Sequence, residues 1–194
     1  WLHHVTNSFG YICYQRRNDS FAGGVDTQFY FCHRGVFLLQ NRPQLSKYMT
    51  FEQLDLNDNI LDALYDMRFD TCTPVQEHCI PKILEGRDIL GVAQTGTGKT
   101  AAYPLPILSM LDDGGYPHDA INCIIMSPTR ELAQQIDQAM QGFGYYLDRV
   151  SSLAIYGGND GNRYDQEIKS LRLGADIIIA TPGRFISHLS LGNV

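Results

Sequence analysis

The chain has 194 residues, 44% hydrophobic and 19% charged, with a formal net charge of −6. That length suits one domain with a real core and is short for two; the acidic balance argues against a broadly basic surface, so any nucleic-acid contact must be local and built from motifs. The five cysteines (Cys13, Cys32, Cys72, Cys79, Cys123) include no Cys-x-x-Cys pair, which argues against a disulfide framework or zinc site and predicts a reduced, cytoplasmic protein, and no apolar run approaches the ~20 residues of a membrane helix.

Residues 1–48 and 49–194 differ in character. The first stretch holds five basic side chains (Arg16, Arg17, Arg34, Arg42, Lys47) and two acidic ones (Asp19, Asp26). It has no sustained helical or strand period, only scattered aromatics such as Phe29-Tyr30-Phe31. The abrupt change predicts that Met49 is the natural start and that 1–48 is upstream sequence; a genuine N-terminal extension is the alternative.

From Met49 the elements alternate. Asn57–Arg68 is an amphipathic helix with Ile60, Leu61, Leu64 and Met67 on one face and Asn57 or Asp58 as cap. Pro74–Leu84 is a second helix, stopped at Gly86. Ile89–Val92 is a strand. Ala93-Gln94-Thr95-Gly96-Thr97-Gly98-Lys99-Thr100 follows, a phosphate-binding loop. Its small residues let backbone N–H groups turn inward around the phosphates of a nucleotide. Lys99 adds a positive charge, and the Thr100 hydroxyl is placed to ligate Mg²⁺. The strict pattern has Gly at the first position where this chain has Ala93.

A helix follows, with Pro104 and Pro106 distorting its first turns. Then come strand Ile121–Met126, helix Glu131–Phe143, strand Ser152–Tyr156, helix Tyr164–Arg172, strand Asp176–Ala180 and a helix over Pro182–Leu189. Short apolar runs alternating with helices predict an α/β fold, a parallel sheet with helices on both faces. Three strand ends carry unusual residues: Pro128-Thr129-Arg130-Glu131, Gly157-Gly158, and Thr181-Pro182-Gly183-Arg184. Ligands of open parallel sheets bind at the carboxyl ends of strands. Backbone N–H groups, hydroxyls and arginines there suit the phosphates and sugars of a nucleic-acid strand. Each turn alone is equally a helix cap or a tight turn.

Together and in this order, these motifs make residues 49–194 resemble the first RecA-like domain of a DEAD-box ATP-dependent RNA helicase, with wording most similar to the bacterial RhlE-type subgroup. The resemblance implies a RecA-like P-loop fold that binds ATP, Mg²⁺ and RNA, the RNA through sequence-independent backbone contacts. It makes Lys99 and Thr100 catalytic. Residues 93–100 become motif I, 128–133 motif Ia, 157–158 the GG motif and 181–184 motif Ib. It further implies that Gln76, in the run Phe69-Asp70-Thr71-Cys72-Thr73-Pro74-Val75-Gln76, pairs with the adenine edge, and that Phe51 stacks on the base. Thr73-x-x-Gln76 is also a helix capping box, and the two roles are compatible. The chain departs from the family at Arg68, usually Gly, and Cys72, usually Pro.

The family continues with an Asp-Glu-Ala-Asp strand and a second RecA-like domain bearing an arginine finger. On this reading the sequence stops before that strand and binds without turnover, and the sheet carries an exposed edge. A non-catalytic nucleotide- or RNA-binding module, or another P-loop ATPase such as a DNA helicase, are the alternatives.

Overall fold

The computed structural model describes residues 29–31, 49–94, 96–117, 120–158 and 161–194. These fall into two compact units, one running to Met110 and the other from Leu111 onward.

The first unit contains β1 (Phe29–Phe31), a 3-10 turn at Phe51–Gln53, α1 (Asp58–Asp66), α2 (Pro74–Leu84), β2 (Ile89–Gly91), α3 (Lys99–Ala102) and most of α4 (Pro104–Asp113). Asn57 caps α1, its side chain accepting from the Ile60 N–H at 3.0 Å. The Asn57 N–H in turn donates to Ser109 Oγ of α4 at 2.9 Å, so a buried hydroxyl ties two helices. Val75 and Cys79 of α2 pack with Ala102, Ile83, Ile89 and Ala93, which seats the strand and the loop after it against α2. Pro104 lacks the N–H that would carry the helix on from the loop and its ring suits a first helical position, so the helix divides into α3 and α4 there, although Pro81 is accommodated inside α2.

The tri-aromatic run at 29–31, which has no partner pattern in sequence, is the partner of β2. The two strands run antiparallel with Phe29 opposite Gly91 and Phe31 opposite Ile89. β2 therefore lies in a two-stranded antiparallel sheet rather than in the parallel one.

Three helices end in the same way. After α2, Gly86 has φ +70°, its N–H reaches Ile83 O and the Arg87 N–H reaches Lys82 O. After the last helix, Pro182–Ser190, Gly192 and Asn193 repeat the pattern onto Leu189 and His188. After α1 the left-handed position is Arg68, with φ +61°, and the bonds run from Arg68 to Tyr65 and from Phe69 to Leu64. This is the Schellman closure, which favours glycine at its left-handed residue.

The second unit contains β3 (Cys123–Met126), α5 (Arg130–Phe143), β4 (Ser152–Ile155), α6 (Gly161–Leu173), β5 (Ile177–Ala180) and α7 (Pro182–Ser190). The strands form a parallel sheet in the order β3-β5-β4. Ile178 of β5 lies opposite Ile124 and Leu153. All four β5 residues are 0% exposed. Successive strand side chains point to opposite faces, so both faces of the central strand are covered. Ala133, Ile136, Met140 and Phe143 form the buried stripe of α5.

Asp176 pins the three strands at their starts. Its carboxylate accepts from Asn122 Nδ2 at 3.1 Å, from the Ser151 N–H at 2.9 Å and from Ser151 Oγ at 2.8 Å. Its carbonyl takes the N–H groups of Asn122 and Cys123. That is why the ladder begins at Cys123 and not at the predicted Ile121.

Candidate nucleotide and nucleic-acid sites

The phosphate loop leaves β2, packs Ala93 into the α2 cluster and enters α3 at Lys99. Thr95 lies outside the described residues. Gly96 and Gly98 hold φ of +80° and +82°, the left-handed region that folds the loop back on itself. Thr97 Oγ1 donates to Gln94 O at 2.8 Å. The Lys99 ammonium donates to Gln94 O at 2.6 Å and also to Ala93 O. Burial draws Lys99 below the ordinary lysine range by penalising its charge. Thr100 follows as the second residue of α3 and is half-buried.

Gln76 joins α2 to this loop. Its Oε1 accepts from the Thr73 N–H at 2.9 Å, and its Nε2 donates to Gly98 O at 3.0 Å. The side chain is 2% exposed. An amide carries two lone pairs and two hydrogens, so each end keeps one further bond to give. A Cβ placed on Gly98 would come within 2.6 Å of Gln76 Nε2 and 2.9 Å of Thr73 Oγ1, so only glycine fits the crossing. Phe51 is buried in its 3-10 turn, while Phe69, just past α1, is 38% exposed. The Cys72 N–H donates to Met49 O at 2.8 Å, a bond that proline at this position could not make.

In the second unit the three strand-end turns converge. A cavity of about 600 Å³ is lined by Pro128–Glu131 after β3, Gly157 after β4, and Thr181, Gly183, Arg184 and Ser187 after β5. Gly158 stands beside it, with Arg130 Nη1 3.9 Å from the position of an added Cβ. Pro182 opens α7 at a position that tolerates proline. Thr129 caps α5 by accepting from the Leu132 N–H at 3.2 Å. Buried Ser127 donates to Thr129 O at 3.1 Å, and its own N–H reaches Ala180 O. The Pro-Thr-Arg turn is thereby locked to the end of β5. The groove therefore offers two guanidiniums, two hydroxyl-bearing turns and one acid.

Sequence reasoning missed Ser187 and a charged cluster under the groove. Arg184 donates from Nε to Glu167 Oε2 at 2.7 Å, and its guanidinium lies 4.3 Å over the Tyr164 ring. His188 Nε2 stands 2.9 Å from the same carboxylate oxygen. The signal was available: Tyr164, Glu167, Ile168 and Leu171 share one helical face, which puts a carboxylate where the period asks for an apolar residue. The three described cysteines are free. Burial pushes the thiols up, Cys72 to about 12 and Cys79 and Cys123 to about 11, so they are poor nucleophiles at neutral pH.

A family model described as DEAD/DEAH box helicase matches residues 73–194. The chain belongs to the DEAD/DEAH box helicase family. The match to this helicase family starts at Thr73, the cap of α2, and spans both the loop and the groove. Relatives include the ATP-dependent RNA helicase DeaD of Escherichia coli (strain K12), 44% identical over 145 residues. The Haemophilus influenzae protein of the same name is 41% identical over 146 residues. Each alignment takes in 75% of this chain but only 22% and 23% of the relative, so the chain spans about a fifth of their length. A hypothetical ATP-dependent RNA helicase from Sulfolobus tokodaii superposes with a TM-score of 0.60 at 36% identity, over 72% of this chain and 38% of that one. The fold is accordingly the RecA-like α/β fold of helicases. No described helix is long and apolar enough to cross a membrane.

Proposed function

We propose that this chain is the ATP- and RNA-binding part of a cytoplasmic ATP-dependent RNA helicase, in which strand separation is coupled to ATP hydrolysis. The observation that carries the RNA reading is the convergence of three separate strand-end turns on one groove. Phosphate and sugar contacts fix register without reading bases, and binding through turns of this kind is on this reading sequence-independent.

Residues 93–100 hold the triphosphate, with Lys99 against its charge. Mg²⁺ keeps much of its shell as water and phosphate oxygen and needs only one or two protein ligands. The Thr100 hydroxyl fits that sharing; among the described residues no cluster of three or more His, Cys, Asp or Glu would hold a metal alone. When bound, Mg²⁺ neutralises phosphate charge. Gln76 reads the adenine edge with its two remaining amide valences, and Phe69 supplies open aromatic surface for the base, whereas Phe51, buried in its 3-10 turn, would stack on it only once that turn shifts. The cytoplasmic assignment rests on the free cysteines among the described residues, of which Cys72 and Cys79 are buried.

Equilibrium titration with a fluorescent ATP analogue and with labelled single-stranded RNA tests this reading. Lys99→Ala should abolish ATP binding and leave RNA binding intact. Arg130→Ala and Arg184→Ala should weaken RNAs of different sequence uniformly, each lowering the salt slope by about 1. GTP competing as well as ATP would overturn the adenine assignment; equal affinity for single-stranded DNA would overturn the RNA assignment.

A further inference from the structure

We propose that Glu167 is a positioning residue that holds Arg184 in its nucleic-acid-binding pose, an inference that rests on the RNA reading of the groove. Arg184 and Arg130 both line the groove but are held differently. The Arg130 side chain is 58% exposed, with its nearest described acid, Glu131, 3.9 Å away. The Arg184 side chain is 15% exposed and bonded at 2.7 Å to Glu167, itself 3% exposed. One edge of the Arg184 guanidinium is thus tied back and one face covered by Tyr164.

Glu167 is in turn fixed from two elements. From α7, His188 is 0% exposed and meets Oε2. Its ring stacks on Tyr164 at 4.7 Å and 20°, and its Nδ1 faces Asn193 Nδ2 at 3.4 Å. The tautomer with hydrogen on Nε2 satisfies both partners. From α6 itself, Arg163 Nε lies 3.5 Å from Oε1, and its guanidinium sits 3.6 Å over Tyr156, next to the Gly157-Gly158 turn. The cluster sets two arginines against one carboxylate, leaving one positive charge for the groove. Arg184 Nη2 and Glu167 Oε1 are both buried with no hydrogen-bond partner among the described residues, so Arg163 meets Oε1 as an ion pair and not as a hydrogen bond. An arginine fixed before its ligand arrives loses less rotamer freedom on binding than one that must be ordered by it.

The sign of the effect separates positioning from bulk electrostatics. Removing an acid near a phosphate-binding groove should tighten RNA binding if only charge counts. If Glu167 positions Arg184, removing it weakens binding despite the gain in net positive charge. The test measures the affinity of the full chain for a fluorescein-labelled oligouridine, with thermal melting of each variant as the folding control.

Arg184→Ala is expected to weaken binding about tenfold. Glu167→Ala should weaken it comparably, and the double variant no further. Glu167→Gln should retain affinity, because the amide oxygen still accepts from Arg184 Nε. Glu167→Asp keeps the charge but withdraws it by one methylene, and should lose affinity like Glu167→Ala; it decides the matter if the alanine variant does not fold. Unchanged affinity in Arg184→Ala would defeat the RNA reading of this arginine. A loss in Arg184→Ala with unchanged or tighter binding in Glu167→Ala or Glu167→Asp would defeat positioning alone.

Discussion

Gly96 and Gly98 have nearly the same φ, +80° and +82°, yet different surroundings. An added Cβ at Gly96 meets nothing within 4 Å; at Gly98 it meets the Gln76 amide and Thr73. Left-handed backbone costs an L-residue roughly 1–2 kcal/mol. Gly96→Ala should therefore lower stability by about that much, and Gly98→Ala by more, since it also displaces Gln76 from Gly98 O. Urea unfolding midpoints of the two variants check this, and equal losses would show that the crossing is not tight. The same geometry gives Gln76 a physical reason to be glutamine with or without nucleotide: no other side chain of that length both accepts from the Thr73 N–H and donates to the loop carbonyl.

Among the elements, the three helices with Schellman closures form an internal comparison. Two place glycine at the left-handed position and α1 places Arg68 there. Arg68→Gly should stabilise the protein by about 1 kcal/mol, the backbone cost of a left-handed non-glycine residue, read as a raised melting temperature. A lower melting temperature would mean that the arginine side chain contributes more than the backbone loses. Helix limits were legible wherever the signals are local. Pro74–Leu84 could be read to the residue because a capping pair, an N-terminal proline and Gly86 all lie within the segment itself. The partner of β2 was not legible, since three aromatics carry no register. Glu167 was legible as a carboxylate out of place on the apolar face of its helix, but its partners, Arg184 and His188, were not, since they lie on a different helix. The strand-end turns were legible as motifs, but their meeting at one groove depends on parallel strand order, which local sequence does not encode.

At the scale of the molecule, the parallel sheet of the described residues has β3 along one side, paired only with β5, and Ile124 on it is 48% exposed. Unpaired strand edges with exposed apolar side chains template association. Sedimentation velocity should show concentration-dependent self-association of the purified chain, reduced by Ile124→Lys; a monomer at every concentration would rule this out. The opposite side of the question is what keeps the sheet in order, and there Asp176 has a reach longer than its bonds. Each strand is four residues long, a rise of about 13 Å, with the carboxylate at one end and the groove turns at the other. Asp176 ties together the butts of three parallel rods whose spacing, about 4.8 Å, the ladder bonds set, so what it fixes is the register in which the rods start and hence the level at which their tips deliver the three turns. A ligand in the groove would lie a full strand's length from that carboxylate.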